Sequence, residues 1–144
     1  MYASMKQKIK TIENRVWLLA KQITRARYPH TCISCGKPVE GKQLHCGHYW
    51  RKKFIPLQIK YRLDILRNQC SYCNLRLGGN LEWYTIGLIK EGYTTEKFLD
   101  IAKDIEFARN NPLSVPEQRE FLLSLEQEYA TLLLPYQRVP NPVY

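Results

Sequence analysis

Apolar residues recur every three or four positions at both ends of the chain and lose that rhythm in the middle. Near the start, Ile9, Ile12, Val16, Leu19 and Ile23 fall on one helical face. The spacing predicts a helix over 4–27. Tyr28-Pro29 ends it, because proline disfavours the α conformation in the residue before it. Lys6, Lys10, Arg15, Lys21, Arg25 and Arg27 place positive charge around this helix.

Helical spacing returns at 81–91, with Trp83, Ile86 and Ile89. Thr94 or Thr95 then caps a helix carrying Phe98, Ile101, Ala102, Ile105 and Ala108, and Asn110-Asn111-Pro112 stops it. Ser114-Val115-Pro116-Glu117 is a capping box with proline at an early helical position. The helix it opens runs to about Leu134, with Phe121, Leu122, Leu125, Tyr129, Leu132 and Leu133 on one face. The final PYQRVPNPVY has three prolines and no helical pattern, and is expected to be extended.

Residues 30–80 show neither period. A turn is expected at Gly36-Lys37-Pro38, and a short hairpin from Val39 to Tyr49 through Glu40-Gly41-Lys42. The stretch Phe54 to Arg67 is expected to be partly helical, and a helix should begin after Cys73 and break at Gly78-Gly79. The pattern describes a mainly helical α+β chain of one domain in three parts: a basic N-terminal helix (1–29), an irregular core (30–93), and C-terminal helices with a proline-containing tail (94–144). The C-terminal helices read as scaffold or dimer surface. No run approaches the roughly 18 apolar residues of a membrane span. The opening MYASMKQKIK is polar and basic, so a cytoplasmic protein is expected.

Charge sharpens the division. Residues 1–80 carry 16 Lys/Arg against 3 Asp/Glu, a balance of +13, whereas residues 81–144 carry 6 against 10, a balance of −4. Every cysteine and histidine lies in the basic part. A field of that sign attracts polyanions, and DNA is the expected partner. Arg51, Lys52, Lys53, Lys60, Arg62, Arg67 and Arg76 are the candidate phosphate contacts. Tyr49, Trp50 and Phe54 interleave them and either stack on unpaired bases or belong to the core.

The cysteines change the picture again. Cys32-Ile33-Ser34-Cys35 and Cys70-Ser71-Tyr72-Cys73 are two C-x2-C pairs, the spacing with which thiolates close a tetrahedral shell around zinc. A structural Zn²⁺ on Cys32, Cys35, Cys70 and Cys73 would stabilise a segment poor in apolar residues. A closed shell leaves no open position for hydrolysis, so chemistry must lie elsewhere. Cys46 is the fifth cysteine: either it has a separate role or it substitutes for one of the four.

Between and after the pairs lie His45, Cys46, Gly47 and His48, then Cys73-Asn74 and Gly78-Gly79-Asn80. This order resembles the HNH, or ββα-metal, endonucleases in their zinc-bearing form. The segments CGHYWRKKF and QCSYCNLRLGGN, with the Tyr84–Leu88 run, are more closely similar to the phage NinG (Rap) recombination nucleases, over residues 30–93. The resemblance implies a small treble-clef-like core between the flanking helices, and a metal-dependent endonuclease acting on branched or recombination-intermediate DNA, of Holliday-junction or flap type, in the bacterial host cytoplasm. It implies His48 as general base and Asn74 as ligand of a catalytic Mg²⁺ or Mn²⁺.

The sequence departs from the HNH pattern at two places. Gly47 stands where many HNH sequences have an aspartate ligand, and His45 is the expected substitute. Ile65 stands near the usual middle asparagine. Asp64, as ligand or as the group that orients His48, and Asn68, as that orienting group, are the alternatives there. A homodimer suits a junction cutter, which must cut two strands. The competing assignments are a non-catalytic zinc-stabilised DNA-binding protein, which has no need of His48, and a protein-interaction zinc domain, against which the +13 balance argues.

Overall fold

The computed structural model describes residues 2–137, with side chains from Lys8 onward. The order is helix α1 (Tyr2–Arg27), strand β1 (Leu44–His48), the one-turn helix α2 (Leu57–Lys60), strand β2 (Leu66–Cys70), then helices α3 (Leu81–Lys90), α4 (Thr95–Asn110) and α5 (Val115–Gln137). The described chain is mainly helical, with one two-stranded antiparallel sheet. No helix among the described residues is long and apolar enough to cross a membrane.

The terminal helices form because their apolar stripes have each other to bury. On α1, Ile9, Ile12, Val16, Ala20 and Ile23 are buried, and on α5, Leu122, Tyr129 and Leu133 join them in one core. Ala20, rather than the half-buried Leu19, takes the central position, because an alanine lets neighbouring elements approach closely. Ile101, Ile105 and Ala108 of α4 complete this core. The caps are as the sequence predicts. Thr94 accepts from the Lys97 N–H, while Ser114 and Glu117 exchange reciprocal bonds of 3.0 and 3.3 Å. Helix α5 continues past Leu134, through Pro135, to Gln137; the remainder of the expected extended tail lies outside the described residues.

The middle differs from its expectation. Val39 to Tyr49 is not a local hairpin. Gly41, with φ +58°, opens a single tight turn over Gly41–Gln43, and Thr31 and Pro38 form one isolated bridge. Strand β1 pairs instead with β2, in the register Leu44 to Cys70, Cys46 to Asn68 and His48 to Leu66. In the stretch expected to be partly helical, only Leu57–Lys60 and a tight turn at Leu63–Ile65 are helical, and Leu66 starts the strand.

Strand β2 lacked a legible pattern because it is buried on both faces yet polar. Leu66, Arg67, Asn68 and Gln69 are all buried. Each polar member has internal partners: Arg67 with Glu91 at 2.8 Å, Asn68 with the carbonyls of Tyr28 and Pro29, and Gln69 with Ser34 and the Gly79 carbonyl. A second, smaller core of Cys32, Val39, Leu44 and Cys73 sits at the far end of the sheet.

Candidate functional site

Two turns, one before β1 and one after β2, bring four cysteines together. The sulfurs of Cys32, Cys35, Cys70 and Cys73 all lie within 4.8 Å of one another. Cys35 and Cys70 sulfurs are 3.8 Å apart, about the edge of a tetrahedron with metal–sulfur bonds of ~2.3 Å. Within each pair the backbone folds back on the first sulfur: Cys35 N–H donates to Cys32 Sγ at 3.4 Å, and Cys73 N–H to Cys70 Sγ at 3.3 Å. Burial opposes ionisation of Cys32, but backbone N–H groups of Cys35, Cys70 and Ser34 outweigh it and bring the thiol down to about 7. Burial pushes the Cys73 thiol up to about 12, and neighbouring Cys70 and Cys32 add to this against the Asn80 amide. A bound cation would supply the positive charge that lets four such crowded sulfurs ionise together. These residues are positioned to bind a metal ion such as zinc, and they fit it in number, donor type and spacing.

Cys46 is outside this cluster. It lies on β1 against the large core, where burial raises its thiol to about 11 despite a bond with Thr24 and the charges of Lys21, Arg25 and Arg67. The odd cysteine is a small packed hydrophobe with an inert thiol.

On the same face of β1, His48 lines a cleft of about 590 Å³. Asn74 lines it too. Trp17 of α1 and Leu75 supply apolar walls, and Gly78 and Gly79 leave space at one side. The His48 ring is fixed twice. It packs against the Trp17 indole, with centroids 5.0 Å apart, and Nε2 donates to the Lys60 carbonyl at 2.8 Å. Burial, with help from the charges of Lys52 and Lys60, pushes its pKa down to about 4, although the bond to the carbonyl works the other way. The ring is therefore neutral at pH 7. With its one proton on Nε2, Nδ1 carries a lone pair and is the free basic nitrogen.

His45 and His48 are three apart on a strand, so they face opposite sides of the sheet. His45 does not line the cleft; its Nδ1 accepts from Asn74 Nδ2 at 3.1 Å. Asn74 sits in a wide, π-type turn over Tyr72–Arg76 rather than in a regular helix. His45 thus holds the amide nitrogen of Asn74 and leaves its carbonyl oxygen toward other partners. Asn80 donates to Cys73 Sγ at 3.4 Å, which places it with the metal centre.

Gly47 has a spatial reason. A Cβ at this position would lie 2.1 Å from Gln69 Oε1. Gln69 is fully buried, so moving its Oε1 aside would disturb the bonds of its amide nitrogen to Ser34 and Gly79. An aspartate before the histidine has no room.

The structure brings neither Asp64 nor Asn68 to His48. The Asp64 carboxylate bonds to both Arg62 and Lys97, at 2.7 and 3.1 Å, which hold it below its usual value against the opposing effect of burial. Asn68 spends its amide on the chain leaving α1. Orientation of His48 falls to the Lys60 carbonyl, a backbone group that no side-chain pattern could reveal, and to Trp17.

The candidate phosphate contacts divide in two. Arg51, Lys52 and Lys53 line the cleft, and Lys21 and Lys52 both lie over the Trp17 ring, at 5.4 and 5.1 Å. Burial lowers the Lys52 pKa, and the charges of Lys60, Lys10 and Lys21 lower it further. Arg76 is exposed on the turn that carries Asn74. Others are used internally: Lys60 faces Glu13, Arg62 pairs with Asp64 and Asp104, and Arg67 is buried between Glu91 and the Tyr28 ring.

Among the described residues lining the cleft there is no carboxylate, and three are cations. Mg²⁺ takes oxygen ligands, commonly including one or two carboxylates. Glu13, on α1, is bonded to Tyr61 and Lys60. This donor set does not fit a preformed site for the expected Mg²⁺ or Mn²⁺.

A family model described as Bacteriophage Lambda NinG protein matches residues 3–130. No curated protein and no solved structure matches the chain. The match spans α1, the four cysteines, the cleft and most of α5. The chain accordingly belongs to the bacteriophage lambda NinG protein family, membership that implies a phage recombination-related role.

Proposed function

We propose that the chain is an endonuclease of the HNH, or ββα-metal, type that hydrolyses DNA phosphodiester bonds, with branched or recombination-intermediate DNA as substrate. The observation that carries this is the shared cleft: His48 and Asn74 line one cavity together with Arg51, Lys52 and Lys53. The order of parts supports it. A cysteine turn, an antiparallel strand pair and a second cysteine turn running into a helical segment is the layout of a zinc-bearing treble-clef core. One strand carries the histidine and the last turn carries the asparagine.

In this mechanism a backbone phosphate lies against Arg51, Lys52 and Lys53. They position the strand and stabilise the negative charge of the pentavalent phosphorane. His48 Nδ1 takes a proton from water as the water oxygen bonds to phosphorus. The P–O bond to the departing sugar oxygen breaks, and that oxygen collects a proton from solvent. Asn74, held by His45, accepts from the attacking water through its carbonyl oxygen. Trp17 and the Lys60 carbonyl keep the imidazole neutral and aimed. A divalent ion would need carboxylate ligands that the described residues lining the cleft do not supply. Cutting both strands of a junction requires two active copies, so a homodimer is the proposed form on that substrate.

The test is a cleavage assay on linear, single-stranded, flapped and four-way DNA. Zinc-loaded wild type is compared with His48→Ala without added divalent ion, with Mg²⁺ and with Mn²⁺. Wild type should cut at least one branched substrate, and His48→Ala should cut it at least about 100-fold more slowly with its affinity retained. Cleavage that survives the substitution overturns the assignment. Wild type that binds every substrate and cuts none in any condition identifies a non-catalytic zinc-stabilised DNA-binding protein instead.

A further inference from the structure

Leu75 stands 68% exposed on the wall of the basic cleft, and Tyr72 stands 61% exposed on the same turn. Neither belongs to either core. Exposed apolar side chains are ordinary when scattered. These two sit on a braced segment beside the proposed chemistry. The turn starts next to Cys70 and contains Cys73, so the metal centre pins it. Gly79 N–H donates to the Cys73 carbonyl at 2.8 Å, and Leu77 N–H to the Tyr72 carbonyl at 3.1 Å. Asn74, in the cleft, immediately precedes Leu75.

We infer that Leu75 is a wedge that enters the base stack of DNA where the duplex is interrupted, and so selects branched or gapped substrates. This rests on the nuclease reading for the chemistry beside it, although the unstacking itself requires only DNA binding. The occupant follows from charge. Arg51, Lys52 and Lys53 line the same cleft as the leucine, and none of the described residues lining it is a carboxylate. An apolar protein surface would have to desolvate those cations without pairing them. DNA supplies both complements, phosphates for the cations and, at a branch point, the face of an unstacked base for the leucine. In an intact duplex that face is covered, and inserting a side chain requires unstacking a base step. A braced turn holds the leucine in place before contact, so little ordering is needed on binding.

The experiment uses the full zinc-loaded chain and two DNA duplexes carrying 2-aminopurine, one with the base at a branch point and one uninterrupted. Wild type should raise the fluorescence of the branched probe and bind it more tightly. Leu75→Ala, an exposed position whose truncation spares the core, should abolish most of the fluorescence rise. It should also reduce the branched-to-intact affinity ratio about tenfold, the order of one lost base contact. Leu75→Phe should restore both, and Leu99→Ala, an exposed leucine on α4, should match wild type. An unchanged ratio and signal in Leu75→Ala overturns the wedge. So does a variant that keeps both but loses self-association on a sizing column, which assigns the turn to a protein contact. Wild type that unstacks the probe through Leu75 yet never cuts DNA leaves the wedge standing and removes only the nuclease reading.

Discussion

The Trp17 indole lies against the His48 ring at a centroid distance of 5.0 Å, which ties the N-terminal helix to the base proposed for catalysis. This contact and one hydrogen bond, to the Lys60 carbonyl, hold the imidazole. Trp17→Ala would open space beside the ring and let it rotate away from the scissile phosphate. Misplacement on the ångström scale costs up to about 100-fold in rate. Trp17→Ala should therefore lower kcat by tenfold or more with little change in KM, and Trp17→Phe should recover most of it. Since the ring would also gain solvent, the acid limb of the pH–rate profile should move upward in Trp17→Ala. A purely structural role would lower the melting temperature and leave that limb in place.

His48 also makes stability depend on pH in a defined direction. Its folded pKa is pushed down to about 4, whereas an unfolded histidine titrates near ~6.5. As pH falls from about 6.5, the unfolded chain takes up the proton first. Stability from this group is thus complete above that pH and is lost progressively on the way down to about 4. The full loss is ~3 kcal/mol at 1.36 kcal/mol per unit. His48→Gln removes the proton uptake. Denaturant unfolding of the two proteins at pH 7 and at pH 4.5 should show a smaller acid penalty in the variant. Thiolate protonation at the metal centre is common to both and cancels in the difference. Equal penalties would mean that the ring is not desolvated as described.

The metal centre gives a prediction that separates the five cysteines. Cys32→Ser or Cys73→Ser should reduce bound zinc well below one equivalent and lower the melting temperature by ten degrees or more, since the small core around these sulfurs has few apolar members. Cys46→Ala should keep a full equivalent, because its sulfur is outside the cluster. Metal analysis beside thermal melts decides this. Zinc loss in Cys46→Ala would make it a ligand.

How much of this was legible in the chain follows from the kind of interaction involved. The terminal helices were readable because Ile9, Ile12, Val16 and Ile23 bury one face and leave another in water, and because Thr94, Ser114 and Glu117 cap locally. The four metal-site cysteines were readable because each turn needs its two sulfurs three residues apart. Strand β2 was not readable, since Arg67, Asn68 and Gln69 are buried polar residues whose hydrogen bonds go to partners distant in sequence. The pairing of β1 with β2 is likewise nonlocal. At the site, His48 and Asn74 were named only through the resemblance to HNH endonucleases, and the structure places both on one cleft. Trp17 could not be named, because a tryptophan on an amphipathic helix reads as core, and the Lys60 carbonyl has no side-chain signature at all.

Gly47 yields a prediction against the HNH pattern. Restoring the aspartate found before the histidine in many HNH sequences should fail here. A Cβ meets Gln69 Oε1 at 2.1 Å, and the glutamine is held by Ser34 and Gly79. Gly47→Asp should cost ~3 kcal/mol or more through overpacking and a buried charge. The double variant Gly47→Asp with Gln69→Ala should recover part of that, because it removes the collision. Additive effects of the two substitutions, measured by denaturant unfolding, would show that they do not meet.

The cations of the middle segment should fall into two classes when each is replaced by alanine. Lys52 and Lys53 line the cleft without a carboxylate partner in it. Each substitution should weaken DNA binding, reduce the slope of log affinity against log salt by about one, and leave the melting temperature nearly unchanged. Arg67 is 6% exposed, bonded to Glu91 at 2.8 Å and stacked over the Tyr28 ring. Arg67→Ala removes the buried guanidinium from between Glu91 and Tyr28 and leaves the Leu66 carbonyl without its donor, at a cost of ~2 kcal/mol. Its salt slope should stay at the wild-type value as long as the protein is folded. Titrations at several salt concentrations, run beside thermal melts, distinguish the classes. If Arg67→Ala flattened the salt slope while Lys52→Ala did not, DNA would bind the face of β2 and α3, and the cleft at His48 would lose its claim to the phosphate.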